Sequence, residues 1–386
     1  MLSLIVFLPL AAALALVLAP RLGDTAARWS WVAVAGVDLA LVVAVWWQYE
    51  TPAEEQLAFE QRAEWMPGVN SSYHIGVDGL SLPLIAMTAV IFLACAVYAL
   101  RDTNRPRLQA ALFLFLQSVS MGLFVSADLI LFFVFFDLSI VAMYFVIAGW
   151  GHGDAARSAL KFFLYTFLGS LALLVGFIGL YIAADPHTFD MVELSEQTPL
   201  DGSSLAGGLV LAAILIGLAV KTPTVPFHTW LPPAHTDAPA VGSAVLAGVL
   251  LKMGTYGFVR IAMPMLPDAW RAWAWVVIVV GIVSVIYGAL VALAQTDLKR
   301  MIAYTSVNHM GYIALAVGAA WLTIVSATRY SSLGALIASA AAVPLAYWLA
   351  DPQRAEFAIV LAVLIWFRHG PNIRRLIRGE EAKIGS

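Results

Sequence analysis

Cysteine and charge are both scarce in this chain. Of its 386 residues, one is a cysteine and only 12% are charged. The lone Cys95 lies inside an apolar run, which excludes a disulfide framework, a Cys-rich zinc site and an iron–sulfur cluster held by this chain. The formal net charge of -3 leaves no basic surface of the kind that nucleic acid requires, so nucleic-acid binding is excluded as well.

Long apolar runs, in contrast, are abundant. Apolar residues make up 62% of the chain, whereas a soluble domain is about half apolar and about a quarter charged. Since a helix needs about 20 apolar residues to cross a bilayer, the sequence predicts an all-α, polytopic membrane helix bundle of about 11–12 transmembrane helices. The predicted spans lie near residues 2–20, 29–47, 79–100, 109–126, 128–149, 158–183, 205–222, 240–262, 272–294, 301–327, 331–350 and, more weakly, 355–367.

Basic residues fall in alternate loops of the predicted bundle. They are Arg21 and Arg28, then Arg101, Arg105 and Arg107, then Arg157 and Lys161, then Lys299 and Arg300. By the positive-inside rule these loops are cytoplasmic, and the N-terminus lies outside. The loops from Gln48 to Asp78 and from Ala184 to Ser204 would then lie outside too, with Arg260 and Arg271 as exceptions to the rule.

Three ionisable side chains are predicted to lie near the middle of the membrane. Asp137 follows Asp128 by nine positions, which at about 1.5 Å per residue places it roughly 13 Å into a core about 30 Å thick. His309 follows Arg300 by the same spacing, and Lys252 lies twelve residues into its span. A charge at this depth costs several kcal/mol unless it is paired, hydrated or neutral, so each residue is a functional candidate.

A fourth candidate, Lys221, ends its apolar run and is followed at once by the sequence TPTVP. Prolines end a regular helix and free backbone carbonyls, which at membrane depth is tolerated only against protein or a water-filled cavity. The sequence therefore predicts a Pro-broken helix and a hydrated pocket at Lys221, with His228 and His235 next along the same path.

These residue types suit a proton relay. Burial disfavours the charged form of an acid or a base, whereas an approaching opposite charge favours it. A carboxylate at Asp137 would hold Lys221 charged, and its withdrawal would favour proton release; His228 and His309 titrate near neutral pH and suit the intermediate steps. Structural roles stay open, namely a hydrogen bond between helices for the acid and contact with the membrane interface for the lysines. Asp78, in the turn IGVDGLS, fits an N-cap or an interface acid.

Five segments, in order along the chain up to about residue 318, carry a family resemblance. They are VDGLSLPL, LFFVFFDLSIVAMYFVIAGWG, KFFLYT, the stretch from Leu218 to Arg260, and QTDLKRMIAYTSVNHMGYI. Together they resemble the antiporter-like proton-pumping subunit M family of respiratory NADH:quinone oxidoreductase. Sodium/proton antiporter subunits of the multisubunit type share the same core.

The resemblance implies a proton relay through Asp137, Lys221, Lys252 and His309, to which the sequence adds His228. It implies a bacterial plasma (inner) membrane location, with other membrane-arm subunits of the complex as partners. NADH, FMN, iron–sulfur clusters and quinone would be bound by those partners, and this chain would bind no cofactor and no metal. The family usually has Glu at position 137, so the shorter Asp is expected to make a longer or water-bridged contact with Lys221.

From about Trp321 the sequence changes in character. The text WLTIVSATRYSSLGALIASAAAVPLAYWLA, followed by FAIVLAVLIWFRHGPNIRRLIRGEEAKIG, is similar to the C-terminal end of the acyl-phosphate-using glycerol-3-phosphate acyltransferase family. The similarity implies a phosphate or anionic-headgroup site, formed by Arg368, His369, Asn372, Arg375, Glu380 and Lys383. A basic cytoplasmic tail that sets topology is the alternative, because the Gly-rich phosphate loops of that family do not occur in this sequence.

We therefore expect two domains. Residues 1–318 would form an antiporter-like proton-translocating membrane domain without the family's later helices, and residues 319–386 would form acyltransferase-like helices and a basic tail. A cytoplasmic tail requires that 355–367 is tilted or interfacial, or that 301–327 bends. The expected function is proton translocation in a respiratory complex. The open alternatives are a cation/proton antiporter subunit, a fragment of an acyltransferase of phospholipid synthesis, and a non-functional fusion.

Overall fold

The computed structural model describes residues 1–19, 21–50, 57–202 and 204–328, without the side chains of residues 204 and 319–328. The α-helices are α1 (Leu2–Leu18), α2 (Asp24–Gln48), α3 (Ser81–Tyr98), α4 (Pro106–Val125), α5 (Leu129–Trp150), α6 (Ala155–Ala183), α7 (Met191–Gln197), α8 (Ser204–Lys221), α9 (Leu231–Asp237), α10 (Ala240–Val245), α11 (Leu251–Gly257), α12 (Met263–Met265), α13 (Pro267–Leu293) and α14 (Leu298–Thr328). Two strands, β1 (Ala58–Met66) and β2 (Ser71–Val77), lie between α2 and α3.

The helical membrane architecture predicted from the sequence is confirmed. Within the described residues, seven helices are long and apolar enough to cross a membrane, and two shorter apolar helices accompany them. The innermost is α4, since 83% of its most apolar window is buried, against 28% for α2 and for α13. The chain is therefore a multi-pass membrane protein in which α1, α2, α3 and α5 pack around α4. The predicted spans 331–350 and 355–367 lie outside the described residues, and α14 is one continuous helix over the predicted span 301–327.

Several helices begin where the sequence chemistry requires. Both α4 and α13 start with a proline, at Pro106 and Pro267, a position where the missing amide N–H costs nothing. Asp128 caps α5, because its carboxylate accepts hydrogen bonds from the backbone N–H groups of Ile130 and Leu131. Asp128 therefore marks the start of the span, as expected, and Asp137 lies in the helix interior.

The sequence analysis did not predict the β-hairpin. β1 and β2 pair in antiparallel register around a turn in which Asn70 adopts a left-handed conformation with φ 48°, which Asn tolerates better than most residues. β1 is polar and largely exposed, so it lacks the alternation of apolar and polar residues that indicates a strand. Tertiary contacts of β2 with helix ends, rather than local pattern, account for the hairpin.

Those contacts gather around two buried carboxylates. His74 of β2 hydrogen-bonds through Nδ1 to Asp190, the N-cap of α7, at 2.6 Å. Asp128 accepts a hydrogen bond of 3.0 Å from Ser71, and the backbone N–H of Ala127 donates to the carbonyl of His74 at 2.9 Å. The hairpin is thus joined to the start of α5 and to α7. We call the side of the molecule that carries it the hairpin face.

The pair formed by His74 and Asp190 predicts a pH window for hairpin stability. Burial alone would lower the pKa of His74, but Asp190 and Glu60 together raise it above its usual value. Burial would raise the pKa of Asp190, but the hydrogen bond from His74 and the charges of His74 and Arg62 lower it. A histidine with a raised pKa stabilises the fold, and this contribution is lost as the pH rises through the raised pKa. An aspartate with a lowered pKa also stabilises the fold, and this contribution is lost as the pH falls through the lowered pKa.

We therefore expect hairpin amide protection to be greatest between these two pKa values and to fall on both sides. Replacement of His74 by Gln should remove the loss of protection at high pH and about 2 kcal/mol of local stability, since the lost hydrogen bond is buried and charge-assisted. Hydrogen exchange of the hairpin amides against pH measures both effects. A variant with unchanged exchange across the pH range would contradict the prediction.

Basic residues of the loops predicted to be cytoplasmic meet on the opposite side of the molecule. The guanidinium of Arg28 donates to the carbonyl of Leu100 at 2.8 Å. The guanidinium of Arg105 lies 4.7 Å from the ring centroid of Trp150, and Lys299 donates to the carbonyl of Ala238 at 2.7 Å. These loops therefore share one face, as the alternation of charge in the sequence predicts.

Arg260, one of the two exceptions to that alternation, has a structural explanation. Its guanidinium pairs with the Asp78 carboxylate at 3.0 Å, immediately after β2. The other carboxylate oxygen of Asp78 accepts from the backbone N–H of Ser81 at 2.7 Å, where α3 begins. Asp78 is therefore both a helix-capping acid and the partner of Arg260, which confirms the structural role expected for it.

Candidate functional site

The centre of the candidate site is Lys221, the last residue of α8. Its side chain is only 2% exposed, although lysine is almost never fully buried without a partner. Nζ donates a hydrogen bond of 2.9 Å to the hydroxyl of Ser139 on α5 and lies 4.6 Å from the ring centroid of Phe136. A hydroxyl and an aromatic face thus hold this ammonium group, and neither neutralises its charge.

Asp137 lies on α5 between Phe136 and Ser139, the two residues that contact Lys221. Its Oδ1 atom is buried and has no hydrogen-bond partner among the described residues. The charges of Asp137 and Lys221 act on each other, yet no ion pair within 4.0 Å joins them in the described part of the chain. The longer contact expected for Asp in place of Glu agrees with this geometry.

The proline-rich segment after Lys221 ends α8 as predicted. The backbone groups that the helix no longer pairs form other hydrogen bonds. The carbonyl of Ala219 accepts from the backbone N–H of Thr224 at 3.1 Å, and that of Val220 accepts from the indole of Trp230 at 2.9 Å. The backbone N–H of Val225 donates to Ser284 of α13 at 2.9 Å. These bonds satisfy the broken helix at membrane depth, where unpaired backbone groups are costly.

His228 follows this break and lies against α13 and α14 rather than against Lys221. It is buried, with its ring centroid 4.9 Å from that of Tyr287 and 6.3 Å from that of Tyr304. Its Nδ1 has no hydrogen-bond partner among the described residues. His235, on α9, is buried as well, and neither of its ring nitrogens has a partner in the described part of the chain.

Lys252 lies just after a π-helical segment, Leu246–Leu250, that the sequence analysis did not predict. Its ammonium donates to the carbonyl of Ala247, inside that segment. A π-helical turn shifts the backbone hydrogen-bond register and is frequent at functional sites. A second π segment, Phe258–Ala262, follows in the same span. The predicted single span of residues 240–262 is therefore an irregular helix whose first irregularity holds a lysine.

The structure brings some of the predicted residues together and separates others. Lys221 and Lys252 lie on helices α8 and α11, which pack in direct contact, and Asp137 lies within two residues of Phe136 and Ser139, which hold Lys221. His309 lies on α14, five residues after Tyr304, and is partly buried. The four residues of the predicted relay thus lie on four different helices: Asp137 on α5, Lys221 on α8, Lys252 on α11 and His309 on α14.

Ser139 and Phe136 are site residues that sequence analysis missed. Both lie next to Asp137 in FFDLS, and one hydroxyl within an apolar span was the available signal. The predicted phosphate or headgroup residues, in contrast, all lie outside the described residues: Arg368, His369, Asn372, Arg375, Glu380 and Lys383.

Two family models match the chain. The NADH:quinone oxidoreductase/Mrp antiporter transmembrane family matches residues 126–338, which contain all five proposed relay residues. The glycerol-3-phosphate acyltransferase family matches residues 301–379, so the two matches overlap.

Curated relatives are similar to this chain over its first four-fifths. The NAD(P)H-quinone oxidoreductase chain 4 of Nostoc sp. is 40% identical over 312 residues, which cover 81% of this chain and 57% of the relative. The NADH-quinone oxidoreductase subunit M of Rickettsia prowazekii is 38% identical over 321 residues, which cover 82% and 64%. The chain thus spans roughly three-fifths of these relatives' length.

Solved structures share the fold. Respiratory complex I from Thermus thermophilus contains a chain that matches with a TM-score of 0.75 and 26% identity, over 95% of this chain and 71% of that one. The Mrp complex from Dietzia sp. matches with a TM-score of 0.72 and 21% identity, over 89% and 38%, and supports the fold alone. Because the first family model covers more than half of the residues, including the buried Lys221 and the partly buried Lys252, this chain belongs to the NADH:quinone oxidoreductase/Mrp antiporter transmembrane family.

Proposed function

We propose that this chain is a proton-translocating membrane-arm subunit of a respiratory NADH:quinone oxidoreductase. The observation that carries the proposal is the buried ammonium of Lys221, held by Ser139 at the end of a proline-broken helix. The names of similar curated relatives, quinone oxidoreductase chain 4 and subunit M, support this family role over other membrane functions. The activity would be that of a translocase complex, to which this chain contributes the ion path.

The proposed path begins at Asp137 and Lys221. In the described geometry Lys221 has a hydroxyl as its direct partner, while the carboxylate of Asp137 acts on it from a greater distance. Approach of the carboxylate would hold the proton on Lys221, and its retreat would release that proton. Burial makes this switch strong, because electrostatic interactions are weakly screened inside the protein.

The proton would then pass to groups on the neighbouring helices. Lys252 is the next base, partly buried on a helix packed against α8, and His309 follows on α14. His228 would be a side branch toward Tyr287 and Tyr304, since its ring contacts them and not Lys221. Hydrating water is required between these groups, as in any relay whose members do not touch.

Partners, cofactors and orientation follow from the same proposal. Other membrane-arm subunits would flank the bundle, and NADH, FMN, iron–sulfur clusters and quinone would be bound by partner subunits rather than here. The protein would lie in a bacterial plasma (inner) membrane with the hairpin face outside. The face that holds Arg28, Arg105 and Lys299 would be cytoplasmic, in accord with the positive-inside rule.

The C-terminal part is proposed as a separate region, residues 319–386, after an antiporter-like domain of residues 1–318. Its similarity to the glycerol-3-phosphate acyltransferase family supports contact of its basic residues with phosphate or anionic headgroups. Acyl transfer is not proposed for this polypeptide, because the glycine-rich phosphate loops of that family do not occur in its sequence.

A cation/proton antiporter subunit is the second candidate, favoured by the fold shared with the Mrp complex. The two functions are separated by the driving force. An oxidoreductase subunit would move protons only with NADH oxidation and without sodium, whereas an antiporter subunit would exchange sodium for protons without NADH.

The test uses the assembled complex purified through a tag on this chain. We expect membrane-arm partners to copurify and inverted vesicles to acidify with NADH. Asp137→Asn should lower proton transport roughly a hundredfold, as expected for loss of an acid–base group, and Asp137→Glu should retain it. Arg271→Ala, which removes an exposed ion pair, is the matched control with normal transport. Normal pumping by Asp137→Asn would contradict the proposal.

A further inference from the structure

A second buried carboxyl group lies away from the proposed path, in the middle of α2. Asp38 is 0% exposed, and so is Gln117, which faces it from α4. The amide nitrogen Nε2 of Gln117 donates to Oδ2 of Asp38 at 2.6 Å. Both residues precede residues 126–338, the part matched by the antiporter family model, and neither contributes to the contacts of Lys221.

The remaining polar atom of each side chain is unpaired. Oδ1 of Asp38 and Oε1 of Gln117 are buried and have no hydrogen-bond partner among the described residues. Each is an acceptor when Asp38 is ionised, so neither can satisfy the other. An unsatisfied buried acceptor costs about 1–3 kcal/mol, and more when it is charged, so this arrangement is unstable for an ionised Asp38.

Among the residues that the structure describes, no cation compensates a charge at this place. Gln117 is the only side chain among the described residues that acts on Asp38. The other titratable side chains of α1 to α4 lie within five residues of a helix end, and none of them acts on Asp38: Asp24, Arg28, Cys95, Tyr98 and Arg107. An isolated buried carboxylate is therefore excluded by its desolvation cost.

We propose that Asp38 and Gln117 form a proton-binding site, in which Asp38 is a neutral carboxylic acid whose Oδ1–H donates to Oε1 of Gln117. One proton then satisfies both unpaired atoms and completes a cyclic acid–amide pair with two hydrogen bonds. The ligand of the site is this proton, and no other group is required. Because the pair joins α2 to the innermost helix α4, its proton is a resident one that stabilises the bundle.

The substitution Asp38→Asn distinguishes a resident proton from a charge. Asn can accept from Nε2 through its carbonyl and donate from its amide to Oε1, so it reproduces both hydrogen bonds without a titratable group. We expect Asp38→Asn to assemble with wild-type thermal stability and normal NADH-driven proton transport. Asp38→Ala should lower the unfolding midpoint, because it leaves the Gln117 amide buried without a partner.

Infrared spectroscopy of the purified complex observes the proton directly. At neutral pH, about three units above the ordinary pKa of Asp, we expect one carbonyl band of a protonated carboxylic acid that disappears in Asp38→Asn. The band should shift in Gln117→Leu, which removes its hydrogen-bond partner. The proposal is overturned if no such band disappears, if Asp38→Asn is as unstable as Asp38→Ala, or if it assembles but no longer transports protons.

Discussion

Replacement of Lys221 by alanine is expected to abolish NADH-driven proton transport by the complex that contains this chain, while the complex still assembles. The variant removes the one ammonium that is buried against Ser139 and Phe136. It also leaves the Asp137 carboxylate without the charge that acts on it. A relay that loses a base in its middle cannot pass a proton across a low-dielectric gap. Acidification of inverted vesicles, scaled to NADH oxidation, measures the loss.

Two further substitutions decide which property of Lys221 matters. Lys221→Arg keeps the positive charge, but a guanidinium stays protonated in proteins and cannot release a proton. We expect it to be inactive like Lys221→Ala. Ser139→Ala removes only the hydrogen-bond acceptor and leaves the ammonium, so transport should fall by less than about tenfold, in line with the loss of about 1 kcal/mol. Full activity of Lys221→Arg would show that charge alone is needed.

Depth and chemistry made part of this site predictable. The spacing from Asp128 placed Asp137 inside the membrane, and the prolines after Lys221 placed the end of α8. Both inferences depend only on helix rise and backbone hydrogen bonding, which hold in any tertiary context. The membrane fold followed in the same way, because composition and run length set it.

Other features depend on contacts between residues that are far apart in the sequence, and these could not be predicted from it. Ser139 is 82 residues from Lys221, and Gln117 is 79 residues from Asp38, so neither pair has a local signature. The hairpin forms because His74 meets Asp190 at the start of α7, although β1 itself shows little strand pattern. The π segment before Lys252 is a backbone irregularity with no characteristic residue pattern.

Gly254→Ala is expected to cause the largest loss of stability among single methyl additions near the path. A Cβ at this position would collide with Oγ1 of Thr222 and would lie 2.8 Å from the carbonyl oxygen of Leu218 and 2.9 Å from the backbone nitrogen of Thr222. Two of these atoms belong to the backbone at the end of α8 and directly after it, and they cannot rotate away. Relief requires α11 to separate from α8, at a cost of about 3 kcal/mol or more.

The same separation would move Lys252 away from Lys221. Gly254 lies two residues after Lys252, and Thr222 directly follows Lys221. Proton transport should therefore fall together with the unfolding midpoint of the purified complex. Gly36→Ala in α2 is the matched control, since nothing lies within 4 Å of its added Cβ and alanine favours a helix by about 1 kcal/mol over glycine. A Gly254→Ala complex as stable as Gly36→Ala would refute the close contact of α8 and α11. A complex with normal transport but lower stability would instead show that proton transport does not depend on the close packing of these helices.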